Sequence, residues 1–305
     1  MKFGKLEDIS QVDFTLPSEH TENEKVFEHL QKEDAHLYIG CTGWGTKEWK
    51  GSFYPQKTRA KDFLLEYGKQ FNSIELNSTH YGTPTQDTLQ KWYEQTPDDF
   101  VFCPKVHKAI SHRKTLGVDS DIIENTINQL SIFNEKLGPL FMQLPPYFAS
   151  DRLDLLVEFF EAFPAEINLS VELRHESWFR DEHVMNELQD ICIEYNKGLL
   201  MTDVAGRRDV LHMRVCNDYV MIRFVGNANE IELHPSDYAR IDDWVSKLNF
   251  YHENGIKKFY FFPHEPDNIL APELAVYLCE QIEEKTSIKF RGPKKIIQNP
   301  QLNLF

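Results

Sequence analysis

The chain has 305 residues, 41% of them hydrophobic and 13% aromatic, with a formal net charge of −15. That length admits one large domain or two, and the apolar content supplies a sizeable core. The acidic balance argues against a broad phosphate-binding face, and no stretch approaches the roughly 18 apolar residues of a membrane helix.

The start, MKFGKLEDIS, is polar and lacks the apolar centre of a secretory signal. Residues 1–36 are polar and acidic, and Thr21 with Glu24 makes a capping box for a short helix. This segment is expected to be an N-terminal extension packed on the outside or partly mobile. From Leu37 the chain alternates two patterns. Strands are predicted over 37–41, 73–77, 100–105, 139–144, 168–173, 198–203, 219–224 and 256–263. Helices are predicted over 58–70, 85–95, 121–136, 151–162, 181–196, 236–253 and 272–285, and only the connection 204–218 lacks a long helical pattern. This alternation predicts a parallel α/β fold, a single-domain TIM-type (β/α)8 barrel over 37–286. An open doubly wound sheet keeps apolar central strands, whereas here polar residues recur at most strand ends. The tail, 287–305, holds four basic residues and no acidic one. Gly292, Pro293 and Pro300 with no helical period make it extended or mobile. Five cysteines without a CxxC pair, three of them in apolar runs, predict reduced buried thiols and a cytoplasmic location.

Five predicted strands carry a charge in alternation with their hydrophobes: Glu75, Lys105, Glu172 with Arg174, Asp203, and Arg223. Successive strand side chains point to opposite faces, and a charge resists burial unless paired. These six charges are therefore expected to converge on one polar pocket at the carboxyl ends of the strands. Glu75, Glu172, Lys105 and Asp203 are the catalytic candidates. Thr42, Trp44, Asn77, Tyr81, His107, Gln143, Arg174, Arg223 and His264 are the binding candidates. Three acids balanced by three bases disfavour a divalent-metal site, which needs excess carboxylate or clustered imidazoles. No cofactor is required, and a metal stays an alternative. Two arginines and a lysine suit a phosphate or carboxylate, with Glu75 or Glu172 as general base. The competing reading is a self-satisfied ion network that only holds the fold together. A Schiff base at Lys105 has no sign of a depressed pKa to support it. The glycines at 40, 43 and 45 do not match a dinucleotide loop.

The segments GCTGWGTKEWKGSFYP, ELNSTHYGTP, FCPKVHKAISH, LGPLFMQLPP and VELRHESWF, in this order and spacing, resemble the YecE-like domain-of-unknown-function family seventy-two over about residues 37 to 285. The resemblance implies a TIM-type barrel and no settled reaction. Two positions depart from the family pattern: Val225-Gly226 where an HG pair is frequent, and His80 where an aromatic is common. The terminal Gln301-Leu302-Asn303-Leu304-Phe305 resembles the QLxLF peptide by which bacterial DNA polymerases and repair proteins dock on the sliding clamp. That resemblance implies Gln301, Leu302, Leu304 and Phe305 as partner-binding residues; the alternative is a tail folded back on the barrel.

The combined expectation is a cytoplasmic barrel enzyme, a hydrolase or lyase. Its substrate would be an anionic small molecule or a nucleic-acid terminus, with sliding-clamp docking and no membrane partner. The alternatives are a non-catalytic anion- or nucleotide-binding adaptor in DNA maintenance and a metal-dependent hydrolase.

Overall fold

The computed structural model describes residues 4, 6–82, 84–229 and 231–296. Its strands are β1 (His36–Ile39), β2 (Ser73–Leu76), β3 (Val101–Pro104), β4 (Leu140–Gln143), β5 (Leu169–Glu172), β6 (Gly198–Leu199), β7 (Met201–Asp203), β8 (Tyr219–Val225), β9 (Lys258–His264) and β10 (Lys289–Phe290). All pairings are parallel. The result is a single-domain α/β fold in which a helix follows most strands. Its longest helices, Pro235–Glu253 and Ala271–Lys285, both open with a proline in the first turn, where the missing N–H removes no helical bond.

The strands fall into three sheets, ordered β10-β1-β9-β8-β7, β2-β3 and β4-β5-β6, and the ladders do not close. Single contacts span the gaps. The Glu75 amide donates to the Cys41 carbonyl at 3.1 Å, and Lys105 and Phe102 form isolated bridges with Phe141 and Leu137. One gap has a plain cause. The Val106 amide donates to Phe141, and the residue two before it, whose amide would face the same neighbour, is Pro104, which has none.

Strands such as β2 and β5 are buried on both faces, as parallel strands between helices are. One face packs Leu37, Ile74, Val171, Ile222 and Phe261 against Leu156, Leu188, Trp244 and Leu274 of the helices. The other face gathers a smaller cluster of Cys103, Phe141, Leu200, Tyr219, Met221, Tyr260 and Phe262.

Several local expectations are corrected. The helix predicted over 121–136 is α-helical over Ile122–Leu130 and turns 3-10 afterwards, with Asn134 at φ 45°. The short N-terminal helix is capped by the His20 ring, not Thr21. The N-terminal extension is bound to the body: Arg208 donates to the carbonyls of Phe14 and Thr15, and the buried Asn23 side chain donates to the Met213 carbonyl. Of the tail, the described residues up to Ile296 are docked on the body. Its β10 pairs with β1, Arg291 clamps Asp99, and the Ile296 amide reaches the Ser52 carbonyl. The motif Gln301–Phe305 lies outside the described residues. All five cysteines are buried and unpaired. Among the described residues no helix is long and apolar enough to cross a membrane.

Candidate functional site

Alternation along β2, β5 and β8 brings Glu75, Glu172 and Arg223 to one face, above the ring of Phe141 on β4. Arg223 joins the two carboxylates. Its Nε and Nη2 donate to Glu75 at 3.0 and 3.2 Å, and its Nη1 donates to Glu172 at 2.6 Å. Glu75 also accepts from Asn77 at 2.8 Å and pairs with the His264 Nε2 at 2.7 Å. Glu172 accepts from Arg174 Nε at 2.8 Å and from the Gln143 amide at 2.7 Å. Gln143 turns its oxygen to Lys105, which donates at 3.0 Å. Lys105 and Arg223 each lie 5.7 Å from the centre of the Phe141 ring. Eight of the sequence candidates thus form one connected network, Arg174 joining it through Glu172.

Burial opposes ionisation of both glutamates, but the surrounding cations prevail. Glu172 is pulled down to about 2 by Arg174, Arg223 and Lys105, and Glu75 is held well below the usual carboxylate range by Arg223 and His264. Both are carboxylates at neutral pH. Burial makes Arg223 easier to deprotonate, yet the two carboxylates raise its pKa. Lys105 is different. Burial and the charge of Arg223 outweigh the carboxylates and lower it to about 8. The depressed lysine that the sequence did not reveal is present here.

Beside the network opens a cavity of about 470 Å³, lined by His80, Tyr81, Lys105, Lys108, His112 and Arg174 together with Gln143 and the turn Leu144–Pro146. Lysine and arginine line it and, among the described residues, no carboxylate does. His80 is buried against the Val106 carbonyl and pushed down to about 4, first by burial, so it adds hydrogen-bonding capacity without charge. Sequence reasoning left Lys108 and His112 outside the site. They follow β3 in a short helix, where the strand's period of two no longer tells which way a side chain points.

Asp203 is a correction. It was expected among the converging charges, but it faces the opposite side of the sheet. Register sets Thr202, not Asp203, beside Arg223. Asp203 is fully buried against the helix Pro235–Glu253, paired with Arg240 at 2.8 Å and accepting from the Trp244 indole at 2.7 Å, with Arg208 as a further partner. Arg240 and Trp244 stand four residues apart on one helical face. Asp203→Ala leaves Arg240 without this partner, so a loss of roughly 3–5 kcal/mol is expected. Urea unfolding measures it, and anion binding beside Lys105 should be unchanged.

Other candidates are placed elsewhere. Trp44 packs edge-on against Trp92, ring centres 5.0 Å apart. His107 caps the helix Lys108–Ser111 by accepting from the Ala109 amide. Thr42 is half-buried in the turn after β1 and joins no hydrogen bond of the network. Tyr81 is exposed at the cavity rim, 5.8 Å below Lys108. Among the described residues no group of three or more His, Cys, Asp or Glu is arranged to hold a metal ion.

A family model described as protein of unknown function DUF72 matches residues 38–298. The chain belongs to this family. The UPF0759 protein YecE of Escherichia coli K12 is 26% identical over 266 residues, covering 81% of this chain and 93% of that protein. The UPF0759 protein YunF of Bacillus subtilis is 26% identical over 150 residues, 47% of this chain and 52% of its own length. Two DUF72 crystal structures share the fold. The Thermotoga maritima protein aligns with a TM-score of 0.66 at 23% identity, covering 81% of this chain and 99% of its own. The Enterococcus faecalis protein aligns at 0.65 and 17%, covering 85% and 99%. The family name carries no reaction, so the chemistry of this DUF72 chain rests on its own residues.

Proposed function

We propose that the chain is an anion-binding enzyme in which Lys105 and Arg174 grip a phosphate or carboxylate group and Lys105 moves the proton. The carrying observation is the cavity lined by Lys105, Lys108 and Arg174 with no carboxylate among the described residues of its wall. Arginine grips such groups with two parallel donors, and a lysine with a proton affinity near neutrality suits acid/base work. Glu75 and Glu172 bind their protons too weakly to act as acids at neutral pH. Their role is to hold Arg223 and Arg174 in place, with Gln143 fixing the Lys105 ammonium. The reaction class is hydrolysis or elimination on a small anionic molecule or a nucleic-acid terminus, in the cytoplasm. The framework proposed for this site is a TIM-type barrel, a reading supported by the Glu75–Cys41 hydrogen bond and the two single bridges between sheets.

A thermal-shift screen with phosphate, sulfate, nucleotides and small carboxylates tests the reading. At least one anion should raise the melting temperature of the wild type and fail to raise that of Arg174→Ala. If no anion stabilises the wild type, the network is structural. The affinity should also fall as pH rises through about 8, where Lys105 loses its proton. Isothermal titration across that range checks this, and an affinity flat from neutrality to alkaline pH contradicts the role of Lys105.

A second reading concerns the tail and rests on the QLNLF motif. Leu302, Leu304 and Phe305 would enter an apolar groove of the sliding clamp, with Gln301 at its edge and Lys294 and Lys295 adding electrostatic steering. A short motif that orders on binding gives about micromolar affinity. Fluorescence anisotropy of the terminal peptide against the clamp should show saturable binding, abolished by replacing Leu304 and Phe305 with alanine.

A further inference from the structure

A second and larger cavity, of about 1180 Å³, lies at the carboxyl ends of β8 and β9. The N-terminal extension forms one wall through Leu6–Ser10, Val12 and Phe14, and the segment Val225–Asn229 with His264–Asp267 forms the other. Its charged lining is Glu7, Asp8, Glu265 and Asp267, joined by His234 and His264, and no lysine or arginine is among the described lining residues. The wall is therefore opposite in sign to that of the Lys105 cavity.

Glu265 gives this cavity a specific demand. Its side chain is only 4% exposed. One carboxyl oxygen accepts from the Ala228 amide at 3.1 Å, while the other, Oε1, is buried without a partner among the described residues. The carboxyl lies flat against Gly226, where a Cβ would stand 2.2 Å from that oxygen, so only glycine leaves room for it. Burial first, then the charge of Asp237, pushes Glu265 up to about 8. A buried polar oxygen without a partner is uncommon and calls for a donor. Among the described residues no group of three or more His, Cys, Asp or Glu converges to hold a metal ion, and an N–H group would supply the donor.

We propose that this cavity binds a small organic cation whose primary ammonium donates to Glu265 Oε1. Burial keeps Glu265 largely protonated at neutral pH; an ammonium takes the place of that proton, donates to Oε1, and brings a charge that offsets the repulsion between Glu265 and Asp237. The carboxylates of Glu7, Asp8 and Asp267 around the mouth favour the same sign of ligand. A cavity of this size is large enough for a polar molecule with more than one functional group. The site is independent of the anion site, although His264 connects the two by lining this cavity and pairing with Glu75.

Isothermal titration of the full chain with putrescine, and with the diol of the same chain length as its uncharged counterpart, tests the proposal. Glu265→Gln is the informative variant: it keeps an acceptor for the Ala228 amide and loses the negative charge. The wild type should bind putrescine saturably, Glu265→Gln should bind it at least tenfold more weakly, and the diol should not bind. The response to phosphate should be the same in wild type and variant, which shows that the fold and the Lys105 cavity are intact. Absence of saturable putrescine binding, equal affinity in the variant, equal affinity for the diol, or binding of magnesium in place of the amine would each overturn the proposal.

Discussion

Replacing Arg223 by methionine should destabilise the protein by roughly 3–5 kcal/mol, the cost of leaving buried charges without their partner. Arg223 is the shared donor of Glu75 and Glu172, and neither carboxylate is more than 1% exposed. The acid dependence should weaken as well. In the wild type the folded-state pKa of Glu172 is about 2 against an ordinary 4.5. Its contribution to stability is therefore fully present above about pH 4.5 and is lost as pH falls towards 2. Glu75 is shifted in the same direction and adds to this loss. Without Arg223, Arg174 and Lys105 still act on Glu172 and His264 on Glu75, but they oppose burial less strongly, so both groups move up towards the ordinary range. The variant should then lose less stability than the wild type as the two groups protonate. Urea unfolding of wild type and variant between neutral pH and about pH 2 reads both effects, and parallel pH profiles would refute the assignment of Arg223 as the shared counter-charge.

Lys105→Met should behave in the opposite way, separating the binding role from the structural one. Hydrogen bonds to charged groups contribute about 1.5–3 kcal/mol, so anion affinity should fall by about 10- to 100-fold. Stability should hold or rise, because burial already disfavours the lysine charge and methionine fills similar volume. Arg174→Met, by contrast, should lose both anion affinity and stability, since its Nε supports Glu172. If Lys105→Met unfolds the protein, the lysine belongs to the structural network and not to a ligand site.

The parts of this architecture that were legible in the sequence are those governed by strand periodicity. Glu75, Lys105, Glu172 and Arg223 sit in alternating runs, and the period of two brought them to one face. The same rule correctly paired Met201 with Asp203 but could not say which face they share. Asp203 finds Arg208 in the turn after its own strand and Arg240 on a helix some forty residues later, and a residue so compensated can face outward at no unpaired cost. Leu200, on the opposite face, marks the true inward position between β6 and β7. Positions beyond strand ends were not legible for a different reason. His107, Lys108, His112 and Glu265 lie where turns and short helices reset the direction of each side chain. The Pro104 gap shows a further limit: eight predicted strands do not determine how many ladders connect them. Reach of the N-terminal extension over β8 and β9 left no periodic signal, because loop packing depends on individual contacts such as Arg208 to Phe14.

The most direct test of anion binding beside Lys105 is a crystal structure of the chain soaked in tungstate, a heavy tetrahedral oxyanion located by anomalous scattering. The account predicts one strong peak in the 470 Å³ cavity, with oxygens in hydrogen-bond reach of Lys105 Nζ and the Arg174 guanidinium. An empty cavity, with tungstate only on surface lysines, would contradict it.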